Sequence, residues 1–418
     1  VNQPQGLVSS ISLSSNVRPA THHLGVRGGA FSATVNERGA ITMDGGERVV
    51  NWFVAADDRW HTPAVEQGVR QQRRAGVPVI ETRVRIPGGD AVQRVWCVPD
   101  AGGLVVIEIT NDSTLPIAVA FDSPDVLCDR TPSPLGPQGI ELPKGSVVFP
   151  IGHTSSLRVA LRPSGGGASV GSLAALPGHD QLQRGWLASV ERAGYAVLPD
   201  KALPSIVNRL RSDCLVFSAH YIEEWPEDFV ASGDDVAVVI ALHQMMLLGE
   251  DTSRHVEDIA ERTERILGQV RRESETPWDV ERALYCAQHL FVALDEERAA
   301  RDVSRARGQL ARASSPPNVV PKDVRAVAWM EEMLASPRRD GSVGLLQHGI
   351  PTLWRGVNLE CHRIVASPEH TVSFGVRWHG SGPALLWEVG GPFGLRLGAG
   401  ATDPSWSTTD PAGDALLA

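Results

Sequence analysis

The sequence predicts a multidomain α+β chain: an N-terminal antiparallel β-sandwich, a helical region built from outer and inner pairs, and strands that return at the C-terminus. Three patterns predict it. Strand-like alternation with Pro, Gly and Ser punctuation runs from about residue 22 to 190, helical periods of changing polarity fill about 204 to 335, and alternation resumes from about 357. At 418 residues the chain exceeds what one core usually encloses, and the expected boundaries are 1–195, 196–340 and 341–418.

The first clear element is a hairpin. VPVIETRVRIPGGDAVQRVWCVPD puts Val79, Glu81, Arg83 and Arg85 on one face and Ile80, Thr82, Val84 and Ile86 on the other, then turns at Gly88-Gly89-Asp90. GGLVVIEITND, PIAVAFDS, GSVVFPI and SSLRVALRP read as further strands, and PSGGGASVGS (163 to 172) is expected to end the last of them, with no helix before about Leu203-Pro204. The helical region then alternates. Residues 204 to 221 are amphipathic, 234 to 248 apolar nearly all round, 252 to 271 charged, 279 to 294 apolar, 295 to 313 charged, and 322 to 335 carry a core stripe. A helix apolar on every side must be surrounded and a charged one must face water, so three outer/inner pairs are expected. The outer-to-inner links (222 to 233, 272 to 278, 314 to 321) are the long ones, which gathers irregular segments at the N-termini of the inner helices. TVSFGVRWHGSGPALLWEV reads as a C-terminal hairpin turning at HGSGP.

Composition removes several functions. A formal charge of −10 with no dense Lys/Arg stripe argues against nucleic acid. No apolar run approaches the roughly 20 residues of a membrane span, and VNQPQGLVSS lacks signal-peptide features, so the expected location is cytoplasmic. Five dispersed cysteines suit reduced core thiols, and no metal or cofactor is implied. His22-His23, His243 and His289 lack partners at metal-ligand spacing and read as core or surface histidines. No phosphate loop or nucleophile elbow occurs. Eleven Trp against three Tyr hint at sugar-stacking surfaces.

Three stretches combine Trp with acids. RRESETPWDVER holds Glu273, Glu275, Trp278, Asp279 and Arg282 at the start of an inner helix; EEWPEDFVASGDD (223 to 235) holds Trp225, Glu227, Asp234 and Asp235 at the start of another. NWFVAADDRWHT (51 to 62) holds Trp52, Asp57, Asp58, Trp60 and His61. The simplest reading makes Asp279 a helix N-cap with solvated glutamates beside it. The functional reading is glycoside cleavage, which needs one carboxyl to protonate the leaving oxygen, an opposed one to activate water, and aromatic faces to hold the ring. On it, Asp279 is the first candidate general acid, with Glu275 and Glu273 as alternates. Asp235 or Asp234 activates water, while Trp52, Asp57, Asp58, Trp60, His61, Trp225, Glu227, Trp278 and Arg282 contact sugar.

This outline resembles the glycosidases that join an N-terminal β-sandwich to an (α/α) toroid, the glucoamylase, trehalase and glycogen-debranching type. ESETPWDVER (273 to 282) looks like the trehalase-type segment whose Trp-Asp begins an inner helix and whose Asp is the general acid, which gives that role to Asp279 and a substrate role to Arg282. AFSATVNERGAITM (30 to 43) resembles the opening strands of glucoamylase-type sandwiches. A full toroid has six helix pairs and three are expected here, so the implied barrel is partial, covered by the C-terminal strands or by a second copy in a homodimer. The likeness implies hydrolysis of an α-linked oligo- or polysaccharide with inversion. The outline is also similar to that of endo-acting α-mannosidases of methylmannose polysaccharide, which adds α-mannans as substrates. The alternative is a non-catalytic carbohydrate-binding or structural relative; a phosphorylase or lyase would need a cationic phosphate pocket.

Overall fold

A computed structural model describes residues 12–13, 21–133, 142–163, 171–270, 274–380 and 382–417. These residues form a mixed α+β fold with several antiparallel sheets and seven α-helices. The chain divides into an N-terminal unit, Arg18–Leu187 with Leu215–Ala219, and a C-terminal unit, Val1–Val17, Ala188–Cys214 and His220–Ala418.

In the N-terminal unit, the hairpin pairs Ile80–Ile86 with Gly89–Val98, Ile86 opposite Gly89. A Cβ at Gly89 would meet the Asp112 carbonyl oxygen at 1.8 Å, so only glycine fits where the third strand crosses the turn. Leu104–Asp112 and Ser156–Leu161 extend the same sheet, while Trp52–Ala55, Ile117–Phe121 and Val147–Ile151 belong to a second and Ser32–Asn36 with Ile41–Met43 to a third. One core unites them, drawing Val35, Ile41, Val54, Ile80, Ile107, Phe121 and Phe149 from all three sheets. Ile80, Thr82, Val84 and Ile86 are buried as alternation demands, but so is Glu81 on the opposite face. It accepts hydrogen bonds from Arg83 Nε (2.9 Å), Arg94 Nε (2.8 Å) and Gln72 Nε2 (3.0 Å). Burial pushes the Glu81 carboxyl up, and the two guanidiniums outweigh it and hold the carboxyl low. Most of 163 to 172 lies outside the described residues. Beyond it comes a helix that alternation did not predict, α1 (His179–Val190), whose sequence HDQLQRGWLASV puts Leu182, Trp186 and Val190 on one face and buries Trp186 and Val190.

The remaining helices are α2 (Ala202–Phe217), α3 (Asp235–Leu247), α4 (Val256–Gln269), α5 (Trp278–Ala293), α6 (Glu297–Gln309) and α7 (Arg325–Leu334). Their burial follows their polarity. Every residue of α3 from Ala237 to Met245 is buried, whereas α4 buries only the stripe Ile259, Thr263 and Ile266, and α6 only Ala300, Val303 and Arg307. In the C-terminal unit α3 and α7 both pack against α5, with α4 and α6 also on α5. The short link after α3 has a local cause: Glu250 N donates to Met245 O (2.9 Å), Gly249 N donates to Met246 O (2.9 Å), and Gly249 has φ +86°. That is a Schellman end, which glycine permits without a Cβ clash. Leu203, Val207 and Leu210 of α2 and Val327, Trp329 and Met330 of α7 share one core with Val372, Phe374 and Trp387 of the C-terminal strands. Those strands, Leu359–Val365, Thr371–His379 and Gly382–Gly390, form an antiparallel sheet.

Inside the helices His243 Nε2 and His289 Nδ1 lie 2.9 Å apart, bridging α3 and α5. Burial, and then nearby positive charge, depresses both imidazoles, His243 well below 6.5 and His289 to about 4. Both are therefore neutral in the folded chain near neutrality, while the unfolded chain takes up protons below about 6.5. Stability is full above that value and falls as pH drops from 6.5 towards 4. Between pH 7.5 and 4.5 the His289 share amounts to roughly 2–3 kcal/mol. Urea midpoints at the two pH values test this, and His289→Gln is expected to remove that share of the difference.

Candidate functional site

Two neighbouring constellations occupy the C-terminal unit. The first lies where the inner helices begin. Asp234 is the N-cap of α3, its Oδ1 accepting from Ala237 N at 3.1 Å. Asp279 is not a cap: Pro277 holds that position, Asp279 stands in the first turn of α5, and its Oδ1 accepts from Val280 N at 3.0 Å. Arg325, the first residue of α7, joins them. Its Nη2 donates to both Asp234 oxygens (2.7 Å each), its Nε to Asp279 Oδ2 (3.1 Å) and its Nη1 to Asp323 Oδ2 (2.7 Å). The two carboxyls expected to face each other do meet, but on a guanidinium. Asp235 is engaged elsewhere, accepting from Arg262 Nη1 (2.8 Å) and Arg265 Nε (2.9 Å) of α4, and bonding to Arg265 and then Arg262 keeps its carboxyl below the ordinary range.

The second constellation is a cavity of about 540 Å³ between α5, α6, α7 and the loops that follow, bordered by Trp278, Tyr285, Glu281, Glu332, His348 and the arginines 282, 307, 312, 338 and 339. The residues that lead into α5 contribute to its lining. Thr276 N donates to Arg312 O (3.1 Å), Ser314 N to Thr276 O (2.8 Å) and Trp278 N to Ser314 Oγ (3.1 Å), so 276–278 runs beside 312–314 and fixes Trp278 at the edge. Behind the wall is a buried charge network. Glu331 Oε1 accepts from Arg211 Nη2 (3.2 Å) and Gln244 Nε2 (2.9 Å), and its Oε2 from Arg282 Nη2 (2.5 Å). Arg211 spends its other donors on Gln244 and the carbonyls of Val190, Ala193 and Gly194, so a fully buried guanidinium is satisfied.

The two cavity carboxylates differ. Glu281 faces guanidiniums with both oxygens, Arg307 Nη2 at 2.9 Å and Arg339 Nη2 at 2.7 Å. Glu332 Oε1 accepts from Ser336 Oγ (2.5 Å) and lies 3.3 Å from His348 Nε2. Burial pushes the Glu332 carboxyl up, yet His348, Arg282 and Ser336 together hold it below its usual value. Tyr285 is buried with the Arg282 and Arg307 guanidiniums 5.0 and 5.4 Å from its ring centre.

The remaining expected residues are dispersed. Glu275 is exposed and Glu273 lies outside the described residues. Trp225 is 7% exposed and packs edge-on to Phe229, so it offers little face to a sugar; Glu227 is exposed and accepts from Ser232 N at 3.1 Å. In the N-terminal unit Trp52 is buried and donates its indole N–H to Arg38 O (3.1 Å), and Trp60 is buried too. His61 is buried with Nε2 3.0 Å from Asp58 Oδ1, the bond that chiefly lowers the Asp58 carboxyl, while Asp57 is exposed. The tryptophan excess is mostly core: eight of the eleven are buried. Sequence reading missed Arg307, Arg312, Arg338 and Arg339 because a charged helix with its flank and the turn SPRRD look solvated by periodicity, and Glu281 and Glu332 because single acids on the largely apolar helices α5 and α7 look like solvent-facing positions. Among the described residues no group of three or more His, Cys, Asp or Glu is placed to hold a metal ion. All five cysteines are unpaired, and no described helix is long and apolar enough to cross a membrane.

No protein-family model matches the chain, and no curated protein matches it either.

Proposed function

We propose that the chain is a carbohydrate-binding relative of the (α/α) glycosidases with an N-terminal β-sandwich, holding a saccharide in the cavity between α5, α6 and α7 without cleaving it. In this reading α3, α5 and α7 are the inner helices of a partial barrel and α4 and α6 outer ones, and the sheets of the N-terminal unit make the sandwich. The observation that carries the proposal is the lining itself: one cavity of about 540 Å³ in which an indole edge stands among side chains able to bond hydroxyls. Cleavage is less well supported. Asp279 and Asp234 are held by Arg325, and both Glu281 oxygens face arginines, the arrangement of an ion pair rather than of a carboxyl poised to give up a proton.

One observation favours hydrolysis as a second reading: Glu281 and Glu332 border the same space, and Glu332 is held in the charged form that a water-activating base requires. Incubation with α-glucans, trehalose, α-mannans, methylated mannans and uronate-bearing polysaccharides, followed by chromatography, separates the two. The expected result is retention of at least one glycan with no product. Product formation that falls roughly 10²-fold in Glu332→Gln would establish the hydrolase instead, and absence of binding to every glycan would contradict both.

A further inference from the structure

The cavity is charged in a way that neutral sugar does not require. Five guanidiniums border it against the carboxylates of Glu281 and Glu332, and Glu331 behind the wall is shared with Arg211. Glu281 is matched by Arg307 and Arg339. The guanidiniums therefore outnumber the carboxylates: two share Glu281, Arg282 is paired with Glu331 and lies 3.8 Å from Glu332, and Arg312 and Arg338 pair with none of these acids.

Arg282 is the most telling of these. It is 3% exposed, and although Nη2 donates to Glu331, its Nε and Nη1 have no hydrogen-bond partner; the nearest carboxylate, Glu332, is 3.8 Å from Nη1. A buried donor without a partner has lost its water and gained nothing in exchange, and native proteins rarely leave two such nitrogens on one guanidinium. Water could take those hydrogen bonds but would not offset the excess of guanidiniums around the cavity. Arg338 repeats the pattern, its Nη2 donating to Gln347 while its buried Nε has no partner. Arg312, at the exposed rim, makes no side-chain hydrogen bond or ion pair among the described residues.

We propose that the cavity recognises a saccharide through an acidic group, the carboxylate of a uronic acid or a sugar phosphate, which sits among the guanidiniums of Arg312, Arg338 and Arg282 while the ring lies along Trp278. The inference rests on the saccharide-binding reading and narrows it to anionic glycans. Guanidinium suits this role because it presents several donors to a planar carboxylate or to phosphate oxygens and cannot lose its charge.

The test is isothermal titration calorimetry of the full chain with tetragalacturonate, a 6-phosphorylated mannotetraose, neutral maltotetraose and mannotetraose, and inorganic phosphate. The expected result is that one of the two acidic tetrasaccharides binds at least about 10-fold more tightly than either neutral one, the scale of one charge-assisted hydrogen bond. Which one it is distinguishes carboxylate from phosphate. Raising the salt should weaken the acidic ligand selectively. Arg312→Ala, whose side chain makes no hydrogen bond or ion pair among the described residues, should keep the melting temperature and weaken the acidic ligand about 5- to 10-fold. Arg282→Lys, checked for folding by circular dichroism, should weaken it further. Equal affinity for neutral and acidic sugars would overturn the inference and leave saccharide binding standing, whereas no binding by any sugar would sink both. Inorganic phosphate binding as tightly as the phosphorylated sugar, or unchanged affinity in both variants, would also overturn it.

Discussion

Glu331→Ala is expected to destabilise the chain by about 3–5 kcal/mol, because it strands two buried guanidiniums at once. Arg211 and Arg282 are 1% and 3% exposed, and Glu331 is the carboxylate that both share. Against a typical total stability of about 5–15 kcal/mol, such a loss leaves a marginal fold. Glu331→Gln should cost less, since its amide oxygen still accepts from one arginine. Urea denaturation of the purified variants measures both. A Glu331→Ala midpoint within about 0.5 kcal/mol of the parent would mean that the arginines find other partners and that the wall of the cavity is not built as described.

Arg325→Ala should cost about 2–3 kcal/mol, less than the buried network because Arg325 is 18% exposed, yet more than a surface pair because three carboxylates depend on it. Without it Asp234, Asp279 and Asp323 face one another near the first turns of α3, α5 and α7. Asp279→Asn in the parent should cost under about 1 kcal/mol, since the amide keeps an oxygen for Val280 N and Arg325 retains two acids. In the Arg325→Ala background the same change should be neutral or stabilising, because it removes a repelling charge. This reversal of sign, read from a double-mutant cycle, distinguishes an ion-pair role for Asp279 from an acid poised for catalysis. An Asp279→Asn variant that keeps its stability but loses roughly 10²-fold in glycan turnover would restore the catalytic assignment.

Local pattern made the elements legible, and long-range pairing hid the site. Period-two alternation marked Ile80–Ile86 and Thr371–His379, and the contrast between a helix buried throughout and a helix with one stripe separated α3 from α4. The acid-and-Trp stretch before and into α5 was visible because its residues are neighbours in sequence, and it does border the cavity through Trp278 and Arg282. What it could not show is that Arg325, 46 residues beyond Asp279 and 91 beyond Asp234, would take up both carboxylates. Arg307 illustrates the same limit: in a helix rich in arginine it reads as solvent-facing, yet its side chain is 8% exposed. The tryptophans misled for the opposite reason. Trp60 and Trp225 sit among polar residues in sequence, but large apolar area draws them inward once the chain folds, and only contact geometry reveals that.

The most direct test is a crystal structure of the chain with the acidic oligosaccharide that binds most tightly in solution. A sugar ring against Trp278, with its acidic group within about 3.2 Å of the Arg312 or Arg338 guanidinium and no cleavage of the chain of sugars, is the predicted result. Saccharide bound in the N-terminal unit or on the outer surface, with the space between α5, α6 and α7 empty of sugar, would contradict it.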